Sequence, residues 1–200
     1  DVYKRQAISM ILGRPENRKL TTALDIAIAD RDMTARQLHT LPDIRVGQGI
    51  DIHPFEPGSA VTLCGVAIPH THRLKGHSDA DAAMHALTDA ILGTIGEGDI
   101  GTHFPPSDPQ WKGAPSSIFL RKAMDLLAAK GGLLANADIT ILAEAPKIAP
   151  HVPAMKAVLS PLLHLDPARI AIKATTMEKL GAIGRKEGIM AYATVTARLP

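Results

Sequence analysis

The sequence predicts an α/β protein, a two-layer sandwich in which helices cover one face of a mixed β-sheet. Short apolar runs typical of strands alternate with longer amphipathic segments typical of helices. Their order along the chain is approximately β-ββ-α-α-β-α-β-β, which is typical of an α/β sandwich. The chain has 200 residues, 46% of them hydrophobic and 21% charged, as expected of a globular protein that buries a core.

The first 43 residues are predicted to form a short segment that precedes the main domain. Residues 7–12 are an apolar run typical of a strand, and residues 13–17 form a turn. Residues 23–29 follow as a helix capped by Thr21 or Thr22. Residues 31–43 are polar and are interpreted as a linker. One strand and one helix cannot bury a core alone, so the main domain is expected to begin at residue 44.

The main domain opens with a predicted strand over residues 44–53, which Pro54 is expected to end. Its residues alternate with a period of two, so Asp51 and His53 share one face of the strand. The apolar residues on the opposite face are Ile44, Val46, Ile50 and Ile52. Two short strands over residues 61–64 and 66–69 are predicted to form a hairpin or a bulged corner around Gly65.

A helix rich in alanine follows, and its polar residues lie on one face. Asp81, His85, Thr88 and Asp89 are spaced three and four residues apart, so they stack on the same side. The expected N-cap is Ser78 or Asp79, which leaves His77 in the preceding loop. The pattern fits both an ordinary solvated face and half of a metal or phosphate site.

The rest of the chain is predicted from its apolar runs and its glycine and proline residues. The predicted elements are an irregular loop over 96–109, a helix capped by Ser116 or Ser117 and ending at 130, a strand over 137–143, a loop over 145–150, a helix over 152–163, a strand over 170–174, a glycine-rich loop over 181–188 and a strand over 190–199.

Asp51, His53 and His85 form a candidate set of three metal ligands. Catalytic zinc usually takes three protein ligands and keeps the fourth position for water or substrate. A mixture of imidazole and carboxylate suits zinc or another first-row metal better than magnesium. Asp81 and Asp89 lie one turn on either side of His85, where each could orient it, support packing or remain an ordinary solvated carboxylate.

The composition excludes several other classes of function. The net charge is +2 with interspersed signs, and aromatic residues make up 3%, so no nucleic-acid surface is indicated. The single Cys64 rules out an internal disulfide and fits a reducing compartment. No apolar run reaches the ~20 residues of a membrane span. We therefore expect a cytoplasmic protein without nucleic-acid or membrane partners.

Residues 45–200 closely resemble the 2-C-methyl-D-erythritol 2,4-cyclodiphosphate synthase family. Several separate motifs in the expected order carry this resemblance: Gly49-Ile50-Asp51-Ile52-His53, His77-Ser78-Asp79-Ala80-Asp81 with His85, Gly98-Asp99-Ile100-Gly101, Ala145-Pro146-Lys147, and Lys173-Ala174-Thr175-Thr176-Met177-Glu178-Lys179-Leu180-Gly181. Residues 13–22 and the helix after them are similar to the end of the partner cytidylyltransferase, which is fused to the synthase in some bacteria.

The resemblance implies a homotrimer with active sites between neighbouring subunits. The substrate would be 4-diphosphocytidyl-2-C-methyl-D-erythritol 2-phosphate, converted to the cyclic diphosphate with release of CMP. Asp51, His53 and His85 would hold Zn²⁺, and Glu178 would bind Mg²⁺ or Mn²⁺. His77 and Thr176 would hydrogen-bond the transition state.

The resemblance also assigns residues to substrate binding: Ser78, Asp99, Ile100, Gly101, Phe104, Asp108, Ala143, Ala145, Pro146, Lys147, Ala149, Thr175 and Arg185. The chain departs from the family pattern at Ala182, where phenylalanine is usual, and at Met177, which interrupts a run of threonines. Two alternatives remain open from the residues alone: a zinc-dependent phosphohydrolase, and a non-catalytic trimeric module.

Overall fold

The computed structural model describes residues 21–105 and 107–200, except for the side chains of Thr34 and Ala35. The chain divides into two compact units between Gln37 and Leu38. The strand predicted over residues 7–12 and the turn over residues 13–17 lie outside the described residues.

The N-terminal helix α1 spans Ala23–Thr40 and is longer than predicted. Its capping by Thr22 is confirmed, because the Thr22 hydroxyl accepts the Asp25 N–H at 3.1 Å. Most of the linker predicted over residues 31–43 is helical, because α1 continues to Thr40. That segment contains no glycine or proline before Pro42, so nothing in it interrupts helical hydrogen bonding.

A five-stranded sheet and a separate hairpin form the β layer. The strands are β1 (Asp43–Pro57), β2 (Ala60–Leu63), β3 (Val66–Pro69), β4 (His72–Leu74), β5 (Leu133–Leu142), β6 (Ile170–Thr175) and β7 (Gly188–Leu199). The sheet order is β4-β1-β7-β5-β6. Among the described strands, β5 and β6 are the one pair that runs in parallel, so the predicted mixed sheet is confirmed. The predicted hairpin is confirmed as β2 paired with β3.

Strand β1 does not end at Pro54 as predicted, but continues to Pro57. Proline lacks only its own N–H, and the residues around it still find partners. The Pro54 carbonyl accepts the Lys75 N–H at 2.8 Å, and the Phe55 N–H donates to the Glu187 carbonyl at 2.8 Å. Beyond this point β1 pairs with β4.

The helices that follow are α2 (Ala82–Ile95), α3 (Ile100–His103), α4 (Ser117–Ala129), α5 (Val152–Leu163) and α6 (Gly181–Gly184). The glycine-rich loop predicted over 181–188 thus includes a short helix. Helix α2 packs directly on β1, because a Cβ added to Gly49 would lie 2.0 Å from the Ala86 carbonyl oxygen. Within the described part of the chain, no helix is long and apolar enough to cross a membrane.

The sheet face that points away from α2 is open, and its β1 part is apolar. From Ile189 onwards, residues of β7 alternate between buried and half-buried, with Ile189, Ala191 and Val195 on the helix side. On β1, the apolar residues predicted to share a face do so, and they are 47% to 65% exposed: Ile50 47%, Ile52 55%, Ile44 59% and Val46 65%. The described residues of one chain therefore cover only one face of the sheet.

Candidate active site

Helix α2 begins two or three residues later than predicted, and its N-cap is Asp81. The Asp81 carboxylate is fully buried and accepts three backbone N–H groups, from Met84 and Cys64 at 2.9 Å and from Gly65 at 2.6 Å. The predicted caps Ser78 and Asp79 are therefore wrong. Of the roles that the sequence left open for Asp81, these contacts fit support of the packing. A buried carboxylate requires donors, and the helix end and the β2–β3 turn supply them together.

The predicted metal ligands Asp51, His53 and His85 lie together where the end of β1 meets α2. Asp51 Oδ2 is 2.9 Å from His53 Nε2 and 3.0 Å from His85 Nδ1. The two ring nitrogens are 3.2 Å apart. Such a group could hold a metal ion, and it is the one group of this kind among the described residues. Three ligand atoms facing one point fit a cation, which would satisfy all their lone pairs at once.

Hydrogen bonds outside the group already orient its ligands. His53 Nδ1 lies 2.8 Å from the Lys75 carbonyl oxygen, which can only accept a proton. Nδ1 therefore carries the hydrogen and Nε2 faces the site, as in many metal sites where a carbonyl fixes the histidine tautomer. The side chains of His53, His85 and Asp51 are 16%, 13% and 25% exposed, so the group lies in a half-buried cleft.

The electrostatics of the group favour a charged carboxylate beside protonatable imidazoles. Burial alone would raise the pKa of Asp51, but hydrogen bonds from His53 and His85 outweigh it and hold that pKa well below its usual range. Burial would lower the pKa of His53, but the hydrogen bond and charge of Asp51 raise it above its ordinary value. Without a metal, protons serve as the counter-charge for Asp51.

The loop before α2 places two more predicted residues near this group. Ser78 Oγ lies 3.1 Å from His85 Nε2. His77 is exposed, and its carbonyl accepts the Gly113 N–H at 2.8 Å. The predicted substrate residues around Asp99 begin helix α3, where the Asp99 carboxylate accepts the Thr102 N–H at 2.8 Å. Hydrogen bonding from Thr102 lowers the pKa of Asp99.

Asp89 joins this loop to α2, which fits packing support, one of the roles that the sequence left open for it. Its Oδ1 accepts the Ile100 N–H at 2.8 Å, immediately before the predicted substrate residue Gly101. Burial raises the pKa of Asp89, and the hydrogen bond from Ile100 opposes that shift only in part.

Phe104 anchors the far end of the same loop. Its ring is 9% exposed and packs with the rings of Phe119 and Trp111, at centroid distances of 4.6 and 4.9 Å. Phe119 in turn lies 5.9 Å from the His85 ring. Asp108 caps the short 3-10 helix Pro109–Trp111 by accepting the Gln110 N–H at 3.1 Å.

The remaining predicted residues gather where β5 and β6 end. The Ala143 N–H donates to the Thr175 carbonyl at 3.0 Å. Glu144, which sequence reasoning missed, accepts the N–H groups of Met177 at 3.0 Å and Lys179 at 3.3 Å. It therefore ties together the two predicted loops, although no motif spacing marks it as a linking residue.

Side chains in these two loops are largely open to solvent. The Ala145–Pro146 bond is cis. The Thr176 hydroxyl donates to Glu178 Oε1 at 2.8 Å. The exposed residues of this region are Lys147, Ala149, Thr175, Thr176 and Glu178. Arg185 is also exposed and forms an ion pair with Glu187 at 2.6 Å.

The two groups of predicted site residues do not meet within one chain. Ile52, Met190, Leu142 and Thr175 are successive partners across β1, β7, β5 and β6. Three strand spacings separate Ile52 from Thr175, about 14 Å. Paired residues share a face, so Thr175 lies on the open face while Asp51 and His53 lie on the helix side.

Comparison with known proteins reveals relatives over nearly the whole chain. It is 57% identical to "Bifunctional enzyme IspD/IspF" of Mesorhizobium japonicum over 96% of this chain and 47% of the relative. It is also 57% identical to the enzyme of the same name from Brucella abortus, over 99% of this chain and 50% of the relative. The chain thus spans about half the length of these relatives.

Solved structures share its fold. The bifunctional IspDF of Campylobacter jejuni matches with a TM-score of 0.76 and 43% identity, covering 79% of this chain and 43% of that one. A 2C-methyl-D-erythritol-2,4-cyclodiphosphate synthase described as the CDP-bound form matches with a TM-score of 0.70 and 44% identity, covering 76% of this chain and 98% of that one. Residues 44–198 match the model of the YgbB family, and the chain belongs to that family.

Proposed function

We propose that residues 44–200 form a 2-C-methyl-D-erythritol 2,4-cyclodiphosphate synthase, a metal-dependent phosphorus–oxygen lyase of non-mevalonate isoprenoid precursor synthesis. Its substrate would be 4-diphosphocytidyl-2-C-methyl-D-erythritol 2-phosphate. The main support is the convergence of Asp51, His53 and His85 in a fold shared with a synthase described as CDP-bound.

Asp51, His53 and His85 would hold a zinc ion. One carboxylate and two imidazoles form a donor set typical of catalytic zinc. The Lys75 carbonyl holds the Nδ1–H of His53, so that Nε2 faces the group and would bind the metal in place of its proton. A zinc ion bound there would supply Lewis-acid polarisation of the β-phosphate of the substrate.

Glu178 would hold a magnesium or manganese ion at the diphosphate. Magnesium is commonly bound by one or two carboxylates together with substrate phosphates, so a single exposed carboxylate fits this role. Such an ion would offset the negative charge of the phosphates. The Thr176 hydroxyl donates a hydrogen bond to the Glu178 carboxylate and so holds that carboxylate beside Thr176.

In the proposed reaction, an oxygen of the 2-phosphate attacks the β-phosphorus. The bond from the β-phosphorus to the oxygen that bridges the two phosphates breaks, and CMP leaves with that oxygen. Both reacting groups are anionic, so positioning and charge stabilisation provide most of the catalysis. His77 and Thr176 would hydrogen-bond the transition state, and Lys147 would face the phosphates or the ribose.

The other predicted residues would bind the two ends of the substrate. The methylerythritol phosphate would contact Ser78, Asp99, Ile100, Gly101, Phe104 and Asp108. The cytidine would lie against Ala143, Ala145, Pro146, Ala149 and Thr175. Arg185, which the resemblance also assigns to substrate binding, would lie near the threefold axis of the assembly.

The proposed assembly is a homotrimer with each site between two subunits. One diphosphate cannot bridge Asp51 on β1 and Glu178 in the loop after β6 if those two strands lie three strand spacings, about 14 Å, apart. A neighbouring subunit could supply the missing half. The open apolar face of β1 supports this, because large exposed apolar surfaces mark interaction sites.

Residues 1–43 would be the end of a cytidylyltransferase domain joined to the synthase. The bifunctional relatives align over 96% and 99% of this chain, which includes most of that segment. We propose a cytoplasmic location for the enzyme.

Incubation of the 200-residue chain with the cytidyl substrate, followed by ³¹P NMR, tests the proposed reaction. We expect CMP and a cyclic diphosphate in equal amounts. A zinc-dependent phosphohydrolase would instead give a linear product, and a non-catalytic module would leave the substrate intact.

The variant His85→Ala tests the metal group within the same assay. We expect at least about a 100-fold loss of activity and loss of bound zinc, because one of the three metal ligands is removed. His70→Ala is the matched control, since His70 is a half-buried histidine that contacts Phe55 and His72 outside the group. Equal activity of His85→Ala and the wild type would contradict the assignment.

A further inference from the structure

Ser116 is a buried serine at the start of α4, and its hydroxyl makes contacts that do not belong to helix capping. It is the N-cap residue of α4, as predicted, but its side chain makes no capping hydrogen bond. The residue is fully buried. A serine at this position normally accepts an N–H from the first turn of the helix. Here the hydroxyl instead points towards the candidate metal group.

The Ser116 hydroxyl lies between Asp79 and His85. Its Oγ is 2.8 Å from His85 Nε2 and donates a hydrogen bond to Asp79 Oδ1. The Asp79 carboxylate also accepts the Ser116 N–H at 2.9 Å and the Asp81 N–H at 3.3 Å. Asp79 is itself held by its own N–H, which donates to the Ala114 carbonyl at 3.1 Å.

The direction of these hydrogen bonds follows from the number of protons. An ionised carboxylate only accepts, and a serine hydroxyl has a single hydrogen. If that hydrogen points to Asp79, Ser116 Oγ can only accept from His85, so His85 Nε2 must carry the proton. The opposite ring nitrogen, Nδ1, faces Asp51 and His53. A hydrogen that Nδ1 donates to Asp51 in the metal-free protein would be displaced by a metal ion, whereas the hydrogen on Nε2 would stay.

We propose that Ser116 and Asp79 form a hydrogen-bond relay that fixes the His85 tautomer, with Nδ1 presented to the metal group. The inference rests on the proposed metal site and adds two positioning residues to it. A metal-binding histidine uses one ring nitrogen for the metal, and a carboxylate or hydroxyl can accept a hydrogen bond from the other. Such a partner orients the ring and makes it a stronger metal ligand. His53 is held in the equivalent way by the Lys75 carbonyl.

Ser78 is the other oxygen near His85 Nε2, at 3.1 Å. The Ser78 hydroxyl is held less firmly than that of Ser116, because its one other hydrogen bond among the described residues comes from the Ala80 N–H at 3.4 Å. Ser78 is also placed in substrate binding by the proposed function. Ser116 therefore remains the fixed partner of His85 when substrate contacts draw Ser78 away.

Two measurements on the 200-residue chain test the relay. The first is the zinc affinity, determined by competition with a chromophoric chelator. We expect Ser116→Ala to weaken zinc binding by about 10- to 100-fold, and Asp79→Asn to weaken it by a smaller factor. Ser117→Ala removes the neighbouring hydroxyl, for which no contact with His85 is found among the described residues, and should stay within about twofold of the wild type.

The second measurement is ¹⁵N NMR of the histidine rings in the metal-free protein. We expect His85 Nε2 to carry a hydrogen in the wild type and in Ser116→Thr, which keeps the hydroxyl. In Ser116→Ala we expect a shift towards Nδ1–H, because Asp51 then offers the best acceptor. Circular dichroism identifies variants that fail to fold, and Asp79→Asn replaces Ser116→Ala in that case.

The outcomes separate the relay from the proposed function. An unchanged tautomer and a zinc affinity within about twofold in folded Ser116→Ala would overturn the relay while leaving the metal site in place. A wild-type chain that binds no zinc would overturn the metal site, and the tautomer in the metal-free protein would still decide whether the relay exists.

Discussion

At the scale of single residues, Asp89 combines a supporting role with an unfavourable charge. Its half-buried carboxylate holds the Ile100 N–H at the start of the predicted substrate loop. Burial raises its pKa, and the nearby charges of Asp99 and Asp51 add to the effect. A raised pKa in the folded state means that ionisation of Asp89 opposes folding.

Asp89→Asn should therefore make the metal-free protein more stable at neutral pH. Stability from a group with a raised pKa is full below its unfolded value of about 4 and is lost as the pH rises through the folded value. Asparagine keeps the oxygen that accepts from Ile100 but does not ionise. We expect a gain of at most about 1 kcal/mol at pH 7, reduced by solvent screening.

Urea unfolding of both proteins in the presence of a chelator measures this difference. The gain should disappear as the pH falls towards about 4, because both side chains are then neutral. A wild-type protein that is more stable than Asp89→Asn at pH 7 would contradict the burial argument.

The metal group was predictable from the sequence because local rules determine its geometry. Strand alternation places Asp51 and His53 on one face, and helical spacing aims His85 in one direction. The contacts of Asp79 with Ser116 and of Glu144 with Met177 join residues 37 and 33 positions apart. No local period connects such residues, so their pairing appears only in the folded structure.

At the scale of elements, the start of α2 shows how a local rule can select the wrong residue. Ser78, Asp79 and Asp81 are all good N-cap residues by type. Asp81 takes the position because the turn at Cys64 and Gly65 offers two further N–H groups to the same carboxylate. Tertiary contacts therefore set the helix start, and with it the position of His85.

Asp81→Ala should destabilise the fold by about 2 to 4 kcal/mol, since it removes a helix cap and leaves buried N–H groups unpaired. Asp166→Ala is the matched control, because Asp166 is exposed. Its carboxylate accepts one N–H among the described residues, that of Ala168 in a short 3-10 helix. That control should lose no more than about 1 kcal/mol. Chemical denaturation measures both, and equal losses would contradict the role given to Asp81.

Contact between α2 and β1 depends on glycine in the strand. A Cβ at Gly49 would lie 2.0 Å from the Ala86 carbonyl oxygen, and the helix backbone cannot yield as a flexible side chain would. Gly49→Ala should therefore cost about 3 kcal/mol of stability through overpacking. It should also weaken zinc binding, because β1 and α2 each carry metal ligands.

Gly93→Ala gives the matched comparison within α2. A Cβ there would meet nothing closer than 3.9 Å, at Gly47 Cα, so alanine fits. Alanine favours the helix over glycine by up to about 1 kcal/mol, and this variant should be slightly more stable than the wild type. Thermal unfolding separates the two variants, and similar melting temperatures would contradict the close approach at Gly49.

At the scale of the whole molecule, the sheet explains why one chain is insufficient. The sequence predicted both groups of site residues, but not that three strand spacings separate Ile52 from Thr175. Strand order depends on long-range pairing, which no local pattern encodes. The alternation of apolar residues along β1 likewise predicted an apolar face. That this face is exposed follows only from the structure, in which α2 packs on the opposite face.

Complementation between two inactive variants tests the shared site. His85→Ala removes a metal ligand, and Glu178→Ala removes the carboxylate of the other half. If each site combines halves of different chains, a mixed trimer contains sites in which both halves are intact. In every mixed trimer, one of the three sites combines the two intact halves, so the purified mixed trimers carry about a third of the wild-type sites.

Co-expression of the two variants with different affinity tags, followed by purification over both tags, isolates the mixed assemblies. We expect each pure variant to be inactive and the mixture to regain activity, with a mass of three chains by light scattering. Because every chain in the mixture carries one defect, a site built within a single chain could never recover. Inactive mixed trimers would therefore place both halves of the site in one chain, and would require the loops after β5 and β6 to move towards β1.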